Sequence, residues 1–397
     1  MEQQRPPSVR WLTASVCASF LVYASTPTLL AVSLKAIGAD LGLGYGAQGA
    51  LVLARSVALG IITVLAGFLA DRWGKRLILP AAMLLAAVGM LVVGGSTGLA
   101  GLLVGVMVTS IGLGGLEALN GALVSDLYPQ SVDSRVNAIF GFYPVGVVIS
   151  SLAVGAALDA GVDWRAPFAL LAIPSILVMA MFRLGRYPAS SSAAGARRLT
   201  VRGILADPRF WLLAAVMLLT AGAMGCMVYW GPSFLQDEYG TSAKVGSAAL
   251  AVFMVAMAVG RFGTGAATRL APLLRIMLVM AVLGAGASLG VVLVDHAAVT
   301  IVLYGAAGLG IACFWPGVVA LAVSRIGAGS SVLLAMVCSV GILAFGFIPA
   351  GVGLLAARWG LRAALGVCPV SMVLAALLLA GQTWSEGRAA GVGRGSH

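Results

Sequence analysis

The chain has 397 residues, 61% of them hydrophobic and 9% charged, whereas soluble domains carry about 25% charged and 45–50% apolar residues. That composition excludes a soluble globular enzyme and fits about a dozen helical spans of roughly 20 apolar residues each. The formal net charge of +11 does not point to nucleic acid, because the basic residues sit in short connections between apolar runs, where positive charge sets membrane orientation.

In chain order, apolar runs with few or no charges predict spans at 11–34, 47–69, 77–95, 99–124, 136–158, 164–182, 210–235, 246–267, 276–294, 298–323, 331–356 and 361–380. Only internally hydrogen-bonded segments cross hydrocarbon, and a chain this rich in Gly and Ala reads as helices. The expected fold class is all-α and polytopic, with twelve transmembrane helices. The first run, Trp11 to Leu34, is too long for a signal-peptide core and is expected to stay as span 1.

With the N-terminus inside, 17 of the 24 basic residues fall on one side and 5 on the other, while Arg55 and Arg261 lie within spans. This asymmetry predicts an integral plasma-membrane protein, in a bacterial inner membrane, with both termini cytoplasmic. The expected organisation is an N-terminal six-helix bundle (1–182), a basic linker (183–209), a C-terminal six-helix bundle (210–380) and a cytoplasmic tail (381–397). The linker holds six arginines and reads as solvated, contact with anionic lipid headgroups being the alternative.

Internal symmetry supports two halves. Gly112-Leu113-Gly114-Gly115 matches Gly308-Leu309-Gly310-Ile311 at an offset of 196 residues (308 minus 112), and Gly67 matches Gly265 at 198 (265 minus 67). Two related bundles with a solute site at their interface near the bilayer midplane are expected. The five cysteines lie in apolar runs without a CxxC pair and read as small buried hydrophobes, so no metal site is expected.

Four groups of residues carry candidate chemistry. Between spans 2 and 3, Gly67 and Gly74 are expected to permit close helix approach and a tight turn. Asp71 is expected to face the N-terminal end of span 11 near Ser330 and Ser331, where a helix dipole favours an anion; with Arg72, Lys75 and Arg76 it would form an inner gate. In span 4, Glu117 is the carboxylate well inside the membrane, and such groups are usually functional. Asn120 shares its helix face three residues later and is expected to hold the solute in the central cavity, with Gly114 and Gly121 leaving space beside them. Glu117 is expected to take the coupling proton and, when ionised, to accept hydrogen bonds from solute hydroxyls; the alternative is a protonated side chain bonded to a neighbouring helix.

Arg55 and Arg261 form the second polar set, since a buried guanidinium needs a partner. By helical rise, Glu117 lies about 10–15 Å deeper than Arg55. Either or both arginines await an anionic solute, or Arg261 snorkels from a helix end. Tyr23, Phe142, Tyr143, Tyr229, Trp230 and Trp315 are the aromatic candidates for stacking on a solute ring, with interface belts or packing as the alternative.

The segment Gly67-Phe68-Leu69-Ala70-Asp71-Arg72-Trp73-Gly74-Lys75-Arg76 resembles the signature loop of the major facilitator superfamily, and it falls at the matching place in a twelve-span, two-half chain. The resemblance implies a secondary transporter working by alternating access, with Arg135 as the counter-charge of the gate. The run from Gly112 through Glu117 to Asn120, with Phe314-Trp315-Pro316 and Gly341 to Pro349, resembles the fucose permease-like proton:sugar symporters. Arginines in spans 2 and 8 are similar to the arrangement in nitrate/nitrite transporters.

The expected function is proton-coupled uptake of a small polar solute, sugar-like or an organic anion. The alternative is a proton-driven exporter of drugs or metabolites. Against the exporter, the span-4 arginine of drug antiporters is Val108 here, and their G-P-x-x-G-G is missing from span 5. No enzyme activity is expected: Gly94 to Gly98 matches G-x-S-x-G but sits in a helix-helix turn. The expected partners are a small-molecule solute and membrane lipid, not nucleic acid, and the chain is expected to be a monomer. No cofactor is expected, the proton serving as coupling ion.

Overall fold

Hydrocarbon offers a backbone no hydrogen-bond partner, so each apolar run must satisfy its own N–H and C=O groups, and each one does so as a helix. The computed structural model describes residues 7–128, 139, 142–188, 200–326 and 331–392. The helices are α1 (Pro7–Leu41), α2 (Tyr45–Trp73), α3 (Lys75–Gly94), α4 (Leu99–Leu127), α5 (Phe142–Asp159), α6 (Arg165–Leu184) and α7 (Val201–Ala206). They continue with α8 (Pro208–Tyr239), α9 (Ala243–Ala267), α10 (Leu273–Leu293), α11 (Ala297–Ile311), α12 (Phe314–Arg325), α13 (Ser331–Ala364) and α14 (Val367–Val392).

Among the described residues, eleven segments are long and apolar enough to cross a membrane, with α11 and α12 counted as one, and a shorter apolar helix, Val367–Thr383, makes the twelfth. The all-α, twelve-span architecture read from the sequence is therefore present. Span 10, expected as one helix, breaks at Ala312 and Cys313. Pro316 is the cause: it has no N–H for the Ala312 carbonyl, and its ring crowds that carbonyl. A second break lies at Gly360 in α13, where φ is 80°, a left-handed backbone that glycine adopts without penalty. The segment expected as a linker contains α7, whose start is capped by the Thr200 hydroxyl accepting from the Gly203 N–H at 3.2 Å.

The chain divides into two units, Met1–Ala194 with Gly240–Ala251, and Gly195–Tyr239 with Val252–His397. In the first, α3 packs on α4 and α6, α2 on α4, and α1 on α5 and α6. In the second, α8 packs on α13 and α14, and α10 on α11 and α14. Small residues set these seams, because in lipid close backbone contact replaces the hydrophobic effect as the attraction between helices. A Cβ built on Gly112 would lie 2.4 Å from the Ala82 carbonyl oxygen of α3. One built on Gly310 would lie 2.5 Å from Cα of Gly284 in α10.

Those contacts correct the repeat register. Gly112 touches span 3 and Gly310 touches span 9, so the structural equivalents stand 198 residues apart (310 minus 112), not 196. Gly308 instead meets the Phe253 carbonyl of α9, its Cβ position lying 2.4 Å away. The 198-residue offset agrees with Gly67 and Gly265. Large apolar side chains such as Phe68, Phe262 and Leu377 stay exposed, as a lipid-facing surface requires.

Each unit carries an arginine clamp at one end, and the two clamps occupy equivalent places. In the first, Arg165 at the start of α6 bonds Asp40 at the end of α1 (Nη2 to Oδ2, 2.8 Å) and the Ser96 carbonyl beyond α3 (2.5 Å). Its guanidinium lies 4.3 Å from the centroid of the Trp164 ring. In the second, Arg362 bonds Glu238 at the end of α8 (3.0 Å) and Asp295 beyond α10, and stands 5.9 Å from the Phe234 ring. Exposed ion pairs contribute little singly, but hydrogen bonds to charged groups joined in a network contribute more. Arg362→Gln is expected to destabilise the fold by about 1–2 kcal/mol, and Arg165→Gln to act in the same direction. A thermal melt in detergent with both variants matching the parent would sink the clamp as a stabilising element.

Candidate functional site

Span 4 turns its one intramembrane acid toward span 1. Glu117 sits mid-α4, half-buried, and shares a hydrogen bond with the Tyr23 hydroxyl of α1. Pro27 lies four residues beyond Tyr23 and supplies no N–H to the Tyr23 backbone carbonyl. The Tyr143 ring of α5 leans on Tyr23, with centroids 6.0 Å apart and planes at 52°, a tilted pairing that aromatic quadrupoles favour over a flat sandwich. Phe20 adds an edge-on contact to Tyr23 at 6.5 Å.

Arg55 of α2 joins this group from the side. The would-be Cβ of Gly114 lies 2.8 Å from the Leu59 carbonyl oxygen, which sets α2 against α4 and leaves Glu117 about 10 Å along the axis from Arg55. The guanidinium nonetheless acts electrostatically on both Glu117 and Tyr23. It is 4% exposed and borders a small cavity with Thr26, Thr109 and Ser110. The three hydroxyls there donate to carbonyls of their own helices, Val22, Gly105 and Val106. Gly114 therefore admits α2, correcting the expectation that it leaves space beside Glu117. Gly121 does leave space, since a Cβ there would meet nothing within 4 Å among the described residues.

Asn120 is placed differently from the expectation. It is 1% exposed, and its amide donates to Ser19 Oγ of α1 at 3.0 Å, so it lies in the α1–α4 seam and does not face an open cavity. Its Oδ1 is buried without a hydrogen-bond partner among the described residues. The structure thus brings Tyr23, Arg55, Glu117, Asn120 and Tyr143 into one neighbourhood of the first unit. Ser19 was missed by the sequence reading, although its position four residues before Tyr23 puts both on one helix face.

The candidates of the second unit are packed otherwise. Tyr229 is fully buried and meets the Phe345 ring edge-on at 5.5 Å. Trp230 is fully buried and its indole N–H donates to the Pro349 carbonyl at 2.9 Å, a packing role within the unit. Trp315 is half-buried, its ring against Gly341, whose would-be Cβ lies 2.7 Å from it. Arg261 is half-buried on α9.

At the signature loop, Gly74 has φ 79° and its N–H returns to the Ala70 carbonyl, the tight turn expected of it. Gly67 does not bring helices together: among the described residues, a Cβ there would meet nothing within 4 Å. Lys75 bonds Asp126 at 2.5 Å and the Ala122 carbonyl at 3.0 Å, fastening the start of α3 to the last turn of α4, where the helix dipole favours a cation. Arg72 and Arg76 are exposed. Arg135, Ser330 and the side chains of Asp71 and Ser331 lie outside the described residues.

Residues 13–346 match the family model of the Major Facilitator Superfamily. The chain belongs to this superfamily. A stretch of 176 residues, 43% of the chain, is 29% identical to myo-inositol transporter 3C of Cryptococcus neoformans and covers 30% of that protein. Myo-inositol transporter 2 of Schizosaccharomyces pombe is 24% identical over 179 residues, 44% of this chain and 32% of its own length. The match thus spans about a third of each of these relatives. Among solved structures, a bacterial homologue of the human lysosomal transporter Spinster superposes with a TM-score of 0.82 at 16% identity, covering 94% of this chain and 97% of that one. A D-xylose–proton symporter superposes with a TM-score of 0.76 at 15% identity, covering 94% and 97%. These superpositions show the fold; with eleven apolar spans among its described residues, the chain is an integral membrane protein of this superfamily.

Proposed function

We propose that the chain is a proton-coupled symporter that takes up a small, neutral, hydroxyl-rich solute by alternating access, with the face bearing Arg72, Lys75 and Arg76 cytoplasmic. The observation that carries this reading is the Glu117 carboxyl bonded to Tyr23 beside the Tyr143 ring. Protonated, Glu117 is neutral and donates one hydrogen bond; ionised, it accepts up to four. Solute hydroxyls and a tyrosine hydroxyl suit both states, which links the occupancy of the solute site to the proton.

A neutral solute is favoured over an organic anion for an electrostatic reason. The positive charge of Arg55 falls on Glu117 and the arginine is 4% exposed, so this cation belongs to the internal balance of the bundle. A solute anion would stand beside Glu117 as a like charge. The myo-inositol and xylose transporters among the relatives, and the likeness of span 4 to the fucose permease-like symporters, agree with a polyol or sugar. A monomer in the bacterial inner membrane completes the reading.

Purified protein in liposomes with an acidic exterior should accumulate labelled myo-inositol or D-xylose above equilibrium, by up to about tenfold per pH unit at one-to-one coupling, and a protonophore should collapse it. Accumulation of carboxylates but neither polyol, or uptake indifferent to the gradient, would overturn the proposal.

A further inference from the structure

The α1–α4 seam carries polar pairs at successive levels, residue numbers falling on α1 as they rise on α4. Tyr23 meets Glu117, Ser19 meets Asn120 at 3.0 Å, and Thr13 meets the Tyr128 hydroxyl at 2.6 Å at the end where α4 stops. Ser15 and Ser125 fall between the second and third pairs; their hydroxyls donate to Trp11 and Gly121 carbonyls, which leaves their oxygens as acceptors. Leu12, Val16, Leu123 and Val124, on the same stretches of the two helices, are fully buried.

Interhelical glue alone would need each polar atom matched, because an unmatched buried acceptor is costly. The Asn120 Oδ1 is unmatched among the described residues and lies in a residue 1% exposed. From Ser19 to Thr13 is six residues, or about 9 Å of helix, too far for one hydrogen bond and right for a short file of waters. On the other side of Glu117 stands Arg55, a fixed buried cation that opposes the passage of hydronium. The groups that act on Glu117 and its partner are Tyr23 from α1, Arg55 from α2 and Tyr143 from α5.

Resting on the symporter reading above, we propose that this seam is a hydrated proton path from Glu117 to the face bearing Arg72, Lys75 and Arg76, separate from the solute route. The proton leaves the Glu117 carboxyl and passes as hydronium along waters held by Asn120, Ser19, Ser125 and Ser15. It is released past Thr13 and Tyr128, leaving Glu117 as a carboxylate beside the Tyr23 hydroxyl and within the field of Arg55. Arg55 makes the movement one-sided.

Hydration is tested without any solute. In a chain whose cysteines are replaced by Ala, Ser19→Cys should react with 2-aminoethyl methanethiosulfonate at least tenfold faster than Ser151→Cys, a fully buried control on α5. Equal, negligible rates would overturn the path. For transport, Asn120→Leu should lower pH-driven myo-inositol accumulation about tenfold while leaving its counterflow exchange, which moves no net proton, within twofold of the parent. Unchanged accumulation, or equal loss of both, would also overturn the path. Failure of the symporter reading looks different: the parent itself would then show no pH-driven accumulation, whatever the seam variants do.

Discussion

Glu117→Gln is expected to reduce pH-driven accumulation of a transported polyol to the equilibrium level, a loss of up to about tenfold per unit of pH gradient at one-to-one coupling. The amide keeps the volume of the carboxyl and can still bond Tyr23, so folding and solute contact are largely preserved. It cannot bind and release a proton in this range of acidity. Counterflow exchange should therefore survive while net uphill uptake does not. The partial exposure of Glu117 amid surrounding protein fits a group that must reach both a solute and a proton. Accumulation in the variant at the parent level, still sensitive to a protonophore, would place the coupling elsewhere.

The largest stability losses are expected at two glycines that no exposed-surface argument would single out. On Gly112, a Cβ would lie 2.4 Å from the Ala82 carbonyl oxygen and 2.5 Å from the Ala86 nitrogen. On Gly310 it would lie 2.5 Å from both Cα and N of Gly284. These neighbours are backbone atoms and cannot rotate away, so the helices must part along the seam. Gly112→Ala and Gly310→Ala should each cost about 1–3 kcal/mol, the range of overpacked cores. Gly121→Ala is the control: with open space around it, the added methyl should be neutral or stabilising by about 0.5–1 kcal/mol. Thermal unfolding of the three variants in detergent decides the matter. Equal midpoints for Gly112→Ala and Gly121→Ala would remove close backbone contact as the basis of the α3–α4 seam.

Much of the site was legible because it follows from spacing on single helices. Glu117 and Asn120 lie three residues apart, so the pair points one way on any α-helix; the same spacing rule puts Ser19 on the face of Tyr23, but nothing in Ser19 itself marked it as part of the site. What they point at was not legible. Asn120 meets Ser19 at a sequence separation of 101, and Lys75 meets Asp126 at a separation of 51. Nothing in the local pattern of either residue specifies its partner. The repeat register shows the same limit: Gly112 and Gly308 align by letter, yet Gly112 and Gly310 align by the helix each one touches.

The sequence by itself determined the spans, the turn at Gly74 and the presence of an acid within the membrane, because hydrophobic length, positive-φ glycine and the cost of buried charge act over a few consecutive residues. Only the tertiary structure decided that Asn120 closes a seam, that Trp230 is occupied by Pro349, that Arg55 acts on Glu117, and that arginines clamp equivalent ends of both units. Those outcomes depend on how closely backbones distant in sequence approach, which is set by small residues meeting across helices.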